Sequence, residues 1–524
     1  MTWLIVYGTC LGAPWPAAVS GDCVRAVEVA APQPDRGDMK SLSGLDAVFL
    51  HLETAHTPMH VASLCLFDLP GGDAGRFHAR IKRELRRRLH LASVLHRRLA
   101  PMPLGFANPV WIDDDAVDLD HHVQRVTLPP PGSIAQLEDC AAALHAQPLD
   151  RKRPLWQAFV IDGLAGGQVG YYFKAHHAAL DGQAGMLLMQ AMFDTSPRRR
   201  TIPRPDARLE AAPPPGAIEL ATAALGHDLR KLVDLVRRLP AAARAIAGLL
   251  GPSQRAGKGR LDESFAIGPR TALNVQIGAE CSFASLSLPL HSLRELADAL
   301  GVKLNDVVLA LCSGALRRYL ARHGGVPRKP LIAAMPISLR DAGDTDYTIR
   351  ATMPPVNLHT NIAEPLRRLR AIQAAAGAVK TMVRQARSAL PLDFPSIGMP
   401  WVLRGLAGLY GRSHVGDLTP PVYNVVISNV HGPDMPLYLA GARMRGIWPM
   451  SIVEHGLGLN ITMSSYAGEM GFGFTAARAA VPDPHELTQA LADAFDELAA
   501  RAAPARTRPA VRTRQAGTKA ARRS

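Results

Sequence analysis

Aromatic residues make up only 5% of this 524-residue chain, and charged residues only 20%. No stretch approaches the roughly 18 to 20 consecutive apolar residues that a membrane-spanning helix needs, so the sequence offers no integral helical bundle. The 6 cysteines, Cys10, Cys23, Cys65, Cys140, Cys281 and Cys312, form no CxxC pair and no metal-ligand spacing. They fit free thiols in a reducing compartment rather than a disulfide framework. Hydrophobic residues, by contrast, reach 48%, which excludes wholesale disorder. A chain this long exceeds one compact core, and two domains with connecting segments are expected.

Acidic residues are also scarce, and unevenly so. Residues 501–524 hold seven Arg and one Lys with no Asp or Glu, so +8 of the net +14 lies in this tail and +6 is left for the rest. A Pro/Ala/Arg tail of this kind buries too little apolar area to offset its ordering entropy and is expected to be disordered. It is either simply solvated or weakly drawn to anionic lipid or nucleic acid. No aromatic-basic recognition motif accompanies the charge, so no nucleic-acid partner is expected. At the other end Trp3 to Tyr7 is apolar, but no Lys or Arg precedes it and the run is shorter than a signal-peptide core. Residues 1–38 are expected to be an extension upstream of a start at Met39.

Residues 39–196 read as alternating strands and helices. Val61 to Phe67 is strand-like, and Phe77, Ile81, Leu85 and Leu89 repeat at helical spacing. Arg83, Arg86, Arg87 and Arg88 on that helix read as a solvated face or as an attraction for phosphates. A helix follows from about Ile134 to Leu144, and then two strands, Trp156 to Asp162 and Gln168 to Ala175, flank the glycine-rich turn Gly163 to Gly167. Residues 197–270 are rich in Pro and Arg and mark a linker. The linker carries a basic amphipathic helix with Leu225, Leu229, Leu232, Val233, Val236 and Leu239 on one stripe, which either packs on the protein or lies on a membrane surface. A second α/β half spans 271–500. Its helical faces include Leu293, Leu296 and Leu300, its strands include Tyr423 to Ile427 and Leu457 to Tyr466, and its last helix opens on Asp483-Pro484. Two similarly built halves place the natural site in the cleft between them.

The strongest chemical signal is Lys174-Ala175-His176-His177-Ala178-Ala179-Leu180-Asp181-Gly182, where a strand ends and a turn leads into a helix. Neighbouring side chains of a strand point to opposite faces, so only one of His176 and His177 can face a cavity. An imidazole titrates near cellular pH and is suited to accept a proton from an attacking alcohol. The second pair, His121-His122, lacks the following Asp-Gly and reads as structural. HExxH is absent and no third ligand stands at useful spacing, which argues against a metal. No Gly-x-Ser-x-Gly elbow precedes the histidines, which argues against a Ser-His-Asp hydrolase.

HHxxxDG marks acyl-CoA-dependent acyltransferases, and the surrounding sequence resembles the bacterial wax ester synthase/acyl-CoA:diacylglycerol acyltransferase family from about Ser41 to Ala500. The matching blocks are Ser43-Gly44-Leu45-Asp46-Ala47-Val48-Phe49-Leu50, Pro58-Met59-His60-Val61, Pro154-Leu155-Trp156, Asn305-Asp306-Val307-Val308-Leu309, Pro336-Ile337-Ser338-Leu339-Arg340 and Ser428-Asn429-Val430-His431-Gly432-Pro433. Gly44, Tyr347-Thr348, His359 and His431 depart from the family pattern. The resemblance implies an α/β fold of two related CoA-dependent-acyltransferase-like halves, each a mixed sheet with helices, joined by a linker with an active-site channel between them. It implies His177 as the general base, with His176 supporting and Asp181 and Gly182 shaping the loop. Asn305, beside Asp306, either holds substrate or caps its helix, and Trp156 either supports substrate or packs in the core. No cofactor is implied. Acyl-CoA is the donor substrate, and diacylglycerol or a fatty alcohol is the acceptor. A cytoplasmic protein, peripheral on the inner face of the plasma membrane or on lipid inclusions, is expected. The alternatives are a condensation-type acyltransferase with a carrier-bound donor and a non-catalytic lipid-surface protein.

Overall fold

Two six-stranded mixed sheets meet along a seam, and one strand crosses it. The computed structural model describes residues 40–69, 72–114, 116–180, 182–203, parts of 216–237, 267–338, 351–386, 397–412 and 420–502. The expected extension 1–38, Asp181, Tyr347-Thr348, most of the linker and most of the basic tail lie outside the described residues.

Helix α1 (Gly44–Leu52) begins at Ser43, whose side chain accepts from the Asp46 amide at 3.1 Å. Strand β1 (His60–Asp68) follows, then helix α2 (Ala74–Arg88), strand β2 (Val123–Thr127) and helix α3 (Ile134–His145). Ser133 and Gln136 close a reciprocal capping box on α3, satisfying two amides that the first turn leaves without partners. Strands β3 (Trp156–Asp162) and β4 (Gln168–His176) make the glycine-turned pair expected from sequence, and helix α4 (Gly182–Met192) follows the motif. Every residue of β3 is buried, because α2 and α4 cover one face of the sheet and α3 the other. That double cover is why β3 reads as a continuous apolar run rather than an alternating one.

The second half holds strand β5 (Cys281–Pro289), helices α5 (Leu290–Leu300) and α6 (Leu304–Arg322), strands β6 (Ile332–Ala334) and β7 (Pro355–Asn357), and helices α7 (Pro365–Ala386) and α8 (Met399–Arg412). Strands β8 (Val425–Val430), β9 (Tyr438–Leu439), β10 (Ala442–Met450), β11 (Leu459–Tyr466) and β12 (Glu469–Ala477) precede helix α9 (His485–Ala502). The second sheet runs β7-β6-β8-β11-β12-β5, the first β9-β10-β1-β4-β3-β2.

The first sheet therefore takes two strands, β9 and β10, from the far side of the linker. β10 pairs antiparallel with β1, setting Ile447 opposite Cys65 and Pro449 opposite Ser63. It passes so close to β12 that a Cβ on Gly471 would lie 2.3 Å from the Ile447 carbonyl oxygen, and one on Gly473 would lie 1.9 Å from that of Pro449. Only glycine permits this crossing.

The arginine run on α2 divides. Arg83, Arg86 and Arg87 are exposed, whereas Arg88 is 1% exposed and bonds to both oxygens of Asp194 at 3.0 and 2.8 Å. Arg88 is thus neither solvated nor open to a phosphate. In the described turns of the linker helix, Leu220 and Ala224 pack against Ala100 and Met102, while Leu225 and Leu229 stay exposed. Replacing Gly473 with Ala is expected to destabilise the protein by about 1–3 kcal/mol through overpacking at the crossing. A chemical-denaturation midpoint equal to wild type would contradict that close approach.

Candidate active site

The motif's geometry starts from where β4 stops. The His176 amide donates to the Leu155 carbonyl and the His177 amide to the Met59 carbonyl, at 2.9 and 2.8 Å, after which the chain turns with Ala179 N bonding back to His176 O. The two imidazoles, 0% and 1% exposed, have separate surroundings, as the pleat requires.

His176 faces a buried carboxylate. Ala178 N donates to His176 Nδ1 at 3.0 Å, so the ring proton sits on Nε2, the atom 3.5 Å from Glu53 Oε1. His60 Nε2 lies 3.4 Å from the same oxygen, and the Met59 amide donates to it at 3.1 Å. The other carboxylate oxygen accepts from Arg151 Nε and Nη2 at 3.0 and 2.6 Å. Burial alone raises a carboxylic acid's pKa, but His176, His60 and Arg151 outweigh it and hold Glu53 far below the usual carboxylate range. Beneath this cluster His145 bonds to the Tyr172 hydroxyl at 2.8 Å and to the Ser451 carbonyl at 3.2 Å.

His177 stacks on Phe49 of α1, with ring centroids 4.3 Å apart and planes 8° from parallel. It lines a cavity of roughly 990 Å³, open mouth included. Burial, and to a lesser degree the neighbouring His176, pushes its pKa down to about 3, so the imidazole is neutral at cellular pH. The cavity is bounded by α4, by β1, β4 and β10, and by Ser428, Thr462 and Ser464 of the second sheet. Among the described residues the lining carries no Asp, Glu, Lys or Arg. It lies at the seam, as the two-halved reading requires.

The remaining sequence candidates distribute unevenly. Gly182 opens α4, and Asp181 lies outside the described residues. Trp156 is fully buried behind the cavity wall. Its ring stacks 5.8 Å from Phe173 and 4.4 Å from His122, and its Nε1 donates to the Leu95 carbonyl at 3.1 Å. His122, in turn, accepts a structural place, with Nδ1 2.8 Å from the Trp156 carbonyl. Asn305 is not the cap of α6: the N-cap position is Lys303, whose amide donates to Asp306 Oδ2 at 3.1 Å. The buried Nδ2 of Asn305 has no partner among the described residues, and neither Asn305 nor Asp306 lines the His177 cavity. Gly432 fits against β11, where a Cβ would meet the Ser465 carbonyl oxygen at 1.9 Å. Sequence reasoning missed Glu53, Arg151 and Phe49 as site residues. Among the described residues no group of three or more His, Cys, Asp and Glu is placed to hold a metal ion, and no single helix is long and apolar enough to cross a membrane.

Comparison with known proteins agrees with this geometry. A model of the wax ester synthase/diacylglycerol acyltransferase catalytic domain matches residues 42–308, and one of the corresponding C-terminal domain matches residues 350–499. The chain belongs to the wax ester synthase/diacylglycerol acyltransferase family. A putative diacylglycerol O-acyltransferase of Mycobacterium tuberculosis is 32% identical over 93% of this chain and 96% of its own length. The O-acyltransferase WSD of Acinetobacter baylyi is 34% identical over 85% of this chain and 93% of its own. The solved wax ester synthase/diacylglycerol acyltransferase of Marinobacter aquaeolei VT8 superposes with a TM-score of 0.62 at 30% identity, covering 88% of this chain and all of that one. A condensation domain of the calcium-dependent antibiotic synthetase, 17% identical with a TM-score of 0.52, shares the fold. This wax ester synthase/diacylglycerol acyltransferase family member is therefore an acyltransferase.

Burial holds several histidines of the acyltransferase neutral: His51, His60 and His122 at about 4, His145 and His177 at about 3. Below the ordinary histidine value of 6.5 the unfolded chain takes up protons that the folded protein refuses, so stability falls as pH drops toward about 4. Below the ordinary carboxylate value the unfolded chain also takes up a proton at Glu53 that the folded protein, which holds this carboxylate charged, refuses, and this adds to that fall. Thermal melts across this window are expected to show a steep decline in Tm; a Tm independent of pH between neutrality and pH about 4.5 would contradict the neutral burial of these rings.

Proposed function

We propose that this acyltransferase moves a long-chain acyl group from acyl-CoA to the hydroxyl of diacylglycerol, and to long-chain alcohols, with His177 as the general base. The observation that carries the reading is a neutral imidazole facing a cavity whose described lining carries no charged side chain, at the seam of the two sheets. The acceptor hydroxyl donates to His177, and its oxygen attacks the thioester carbonyl carbon as the proton passes to the ring. Collapse of the tetrahedral species breaks the C–S bond. The departing CoA sulfur then takes the proton from the imidazolium, leaving an ester and a free thiol. Positioning of the two substrates and one proton carrier suffices, with no covalent enzyme intermediate. The surrounding apolar wall disfavours water, the competing nucleophile for the thioester.

Purified protein given labelled palmitoyl-CoA with diacylglycerol or hexadecanol is expected to form triacylglycerol or wax ester. His177→Ala is expected to lower kcat by about 10²–10⁴-fold, the usual contribution of general-base catalysis. Equal turnover by both proteins would remove His177 as the base. Absence of product with either acceptor would sink the acyl-transfer reading.

The same reading includes peripheral contact with a lipid surface, at the inner face of the plasma membrane or on lipid inclusions. Leu104, Trp401 and Val402 are 93%, 57% and 54% exposed, and Trp401 Nε1 donates to the Leu104 carbonyl, which keeps this apolar group together. Asp228 of the linker helix accepts from the Ile397 amide at 2.5 Å, which ties that helix, with its exposed Leu225 and Leu229, to the segment just ahead of α8. Exposed aromatic and aliphatic side chains of this kind suit a membrane interface. Replacing Leu104 and Trp401 together by Ala is expected to reduce sedimentation with phosphatidylglycerol vesicles several-fold. Unchanged co-sedimentation would retire the surface.

A further inference from the structure

The exposed leucine at position 104 is held in an unfavourable backbone conformation. Leu104 lies in the left-handed region, with φ 54°, which an L side chain enters only at a cost. It stands between Pro103 and Gly105, in the loop that joins the antiparallel strands Arg97–Ala100 and Val110–Asp113. The Gly105 amide closes the turn on the Met102 carbonyl at 2.9 Å, and Met102 is buried while Leu104 is 93% exposed. The conformation gives the leucine no burial in its own protein. Strain of this kind persists where the surrounding structure over-determines it, and it gathers at sites that bind or move.

The other end of the same loop reaches the helix that holds His177. Asn108 is 5% exposed, and its Oδ1 lies 3.1 Å from Nε2 of His51 on α1. Burial, and more weakly Arg404 of α8 and Arg151, lower the His51 pKa to about 4, so the ring is neutral and its Nε2–H donates to the amide oxygen. Asn108 is the one hydrogen-bond partner of the His51 ring among the described residues. Helix α1 is buried from Gly44 to His51. Its Phe49 stacks on His177, its Leu50 packs in one cluster with Ala178, and Glu53 at its end lies against His176. Helix α8, which carries Trp401, packs along α1, and the Gly398 amide just ahead of it donates to Phe106 of the loop at 2.7 Å. Close-packed interiors transmit a displacement rather than absorb it. A movement of the loop therefore reaches His177 through one hydrogen bond and one helix.

We propose that the 102–108 loop is an interfacial lever: entry of Leu104 and Trp401 into a lipid surface shifts α1 through the Asn108–His51 bond and brings His177 into its working position. The inference rests on the acyl-transfer and lipid-surface readings above and adds regulation of the site by the surface. A surface favours the working arrangement only by binding it better than the resting one. The exposed apolar tip supplies that difference, because Leu104 and Trp401 leave water only at lipid. Asn108 and His51 are positioning residues, and neither lines the His177 cavity. Turnover is then confined to the place where a water-insoluble acceptor is found, and acyl-CoA in solution is spared hydrolysis.

The test separates surface contact from delivery of substrate. Hexanoyl-CoA and butanol, both soluble, are assayed with and without phosphatidylglycerol vesicles that contain no diacylglycerol. Wild-type kcat is expected to rise about fivefold or more on adding vesicles, the lower end of the usual coupling between two sites, with little change in KM. Asn108→Ala is expected to sediment with the vesicles and to keep its rate in solution, yet to gain nothing from them. Hydrogen exchange over residues 44–53 gives a reading that needs no turnover: vesicles are expected to change it in wild type and not in Asn108→Ala. If Asn108→Ala does not fold, His51→Ala removes the same bond from the other side. Stimulation of the variant equal to that of wild type would overturn the lever. So would a wild-type kcat, or a wild-type exchange pattern, unchanged by vesicles that the protein binds. Wild-type protein that does not sediment with the vesicles would instead remove the lipid-surface reading, and failure to turn over any donor would remove the acyl-transfer reading.

Discussion

The loop that carries His176 and His177 depends on a single buried carboxylate. Glu53 is the C-cap residue of α1, with a side chain 7% exposed, and an isolated charge at that depth is costly unless it is paired and hydrogen-bonded. Its compensation is also its function in the fold. Arg151 and the Met59 amide satisfy it directly, and His60 and His176 crowd its remaining face. The Met59 carbonyl then receives the His177 amide, so one residue, Met59, links the carboxylate to His177. One turn earlier in α1, Phe49 supplies the ring on which His177 stacks. A single helix end therefore fixes both histidines, one by charge and one by contact.

Burial of His177 has two chemical consequences that pull against each other. It keeps the ring unprotonated, in the form that can receive a proton, and it surrounds the ring with apolar atoms that give water little reason to enter. It also makes the free enzyme a weak base. A weak base serves if the proton moves only when negative charge appears beside it, because the imidazolium then forms next to an alkoxide-like oxygen rather than in an empty apolar site. In the proposed reaction, proton uptake is in this way coupled to bond formation and has no driving force before the substrates are in place.

The parts of the structure legible in the sequence were those whose cause is local. β3 and β4 are apolar runs separated by a glycine turn, and the end of β4 beside a turn explains why His176 and His177 part company. β10 was not legible. Gly446 and Pro449 interrupt its pattern, proline is disfavoured inside sheets, and its partner β1 lies hundreds of residues away in the chain. Glu53 was not legible either, since a lone glutamate after an apolar helix reads as surface until tertiary packing brings Arg151 and two histidines to it. Arg88 sits in a run of exposed arginines and differs from them through Asp194 and the Met192 carbonyl, more than a hundred residues on. Asn305 was placed correctly at a helix start, but the reciprocal partner of the cap is Asp306, one position later.

The crossing of β10 explains why the cavity belongs to neither half alone. The strand is hydrogen-bonded into the first sheet along β1 and continues through the 451–458 turn into β11 of the second sheet. The two sheets cannot part along this edge without breaking the β10–β1 ladder or stretching that short turn. Gly471 and Gly473 bring β12 against the back of β10, which removes the space such a movement would need. The β10 side of the cavity is consequently its fixed wall. The methionines of α4 form the adaptable side, and the hydroxyl-bearing residues Ser428, Thr462 and Ser464 line the cavity from strands anchored in the other sheet. A ligand held between a fixed wall and an adaptable one is positioned by the first and accommodated by the second, with His177 at the end of the strand that forms the fixed sheet's centre.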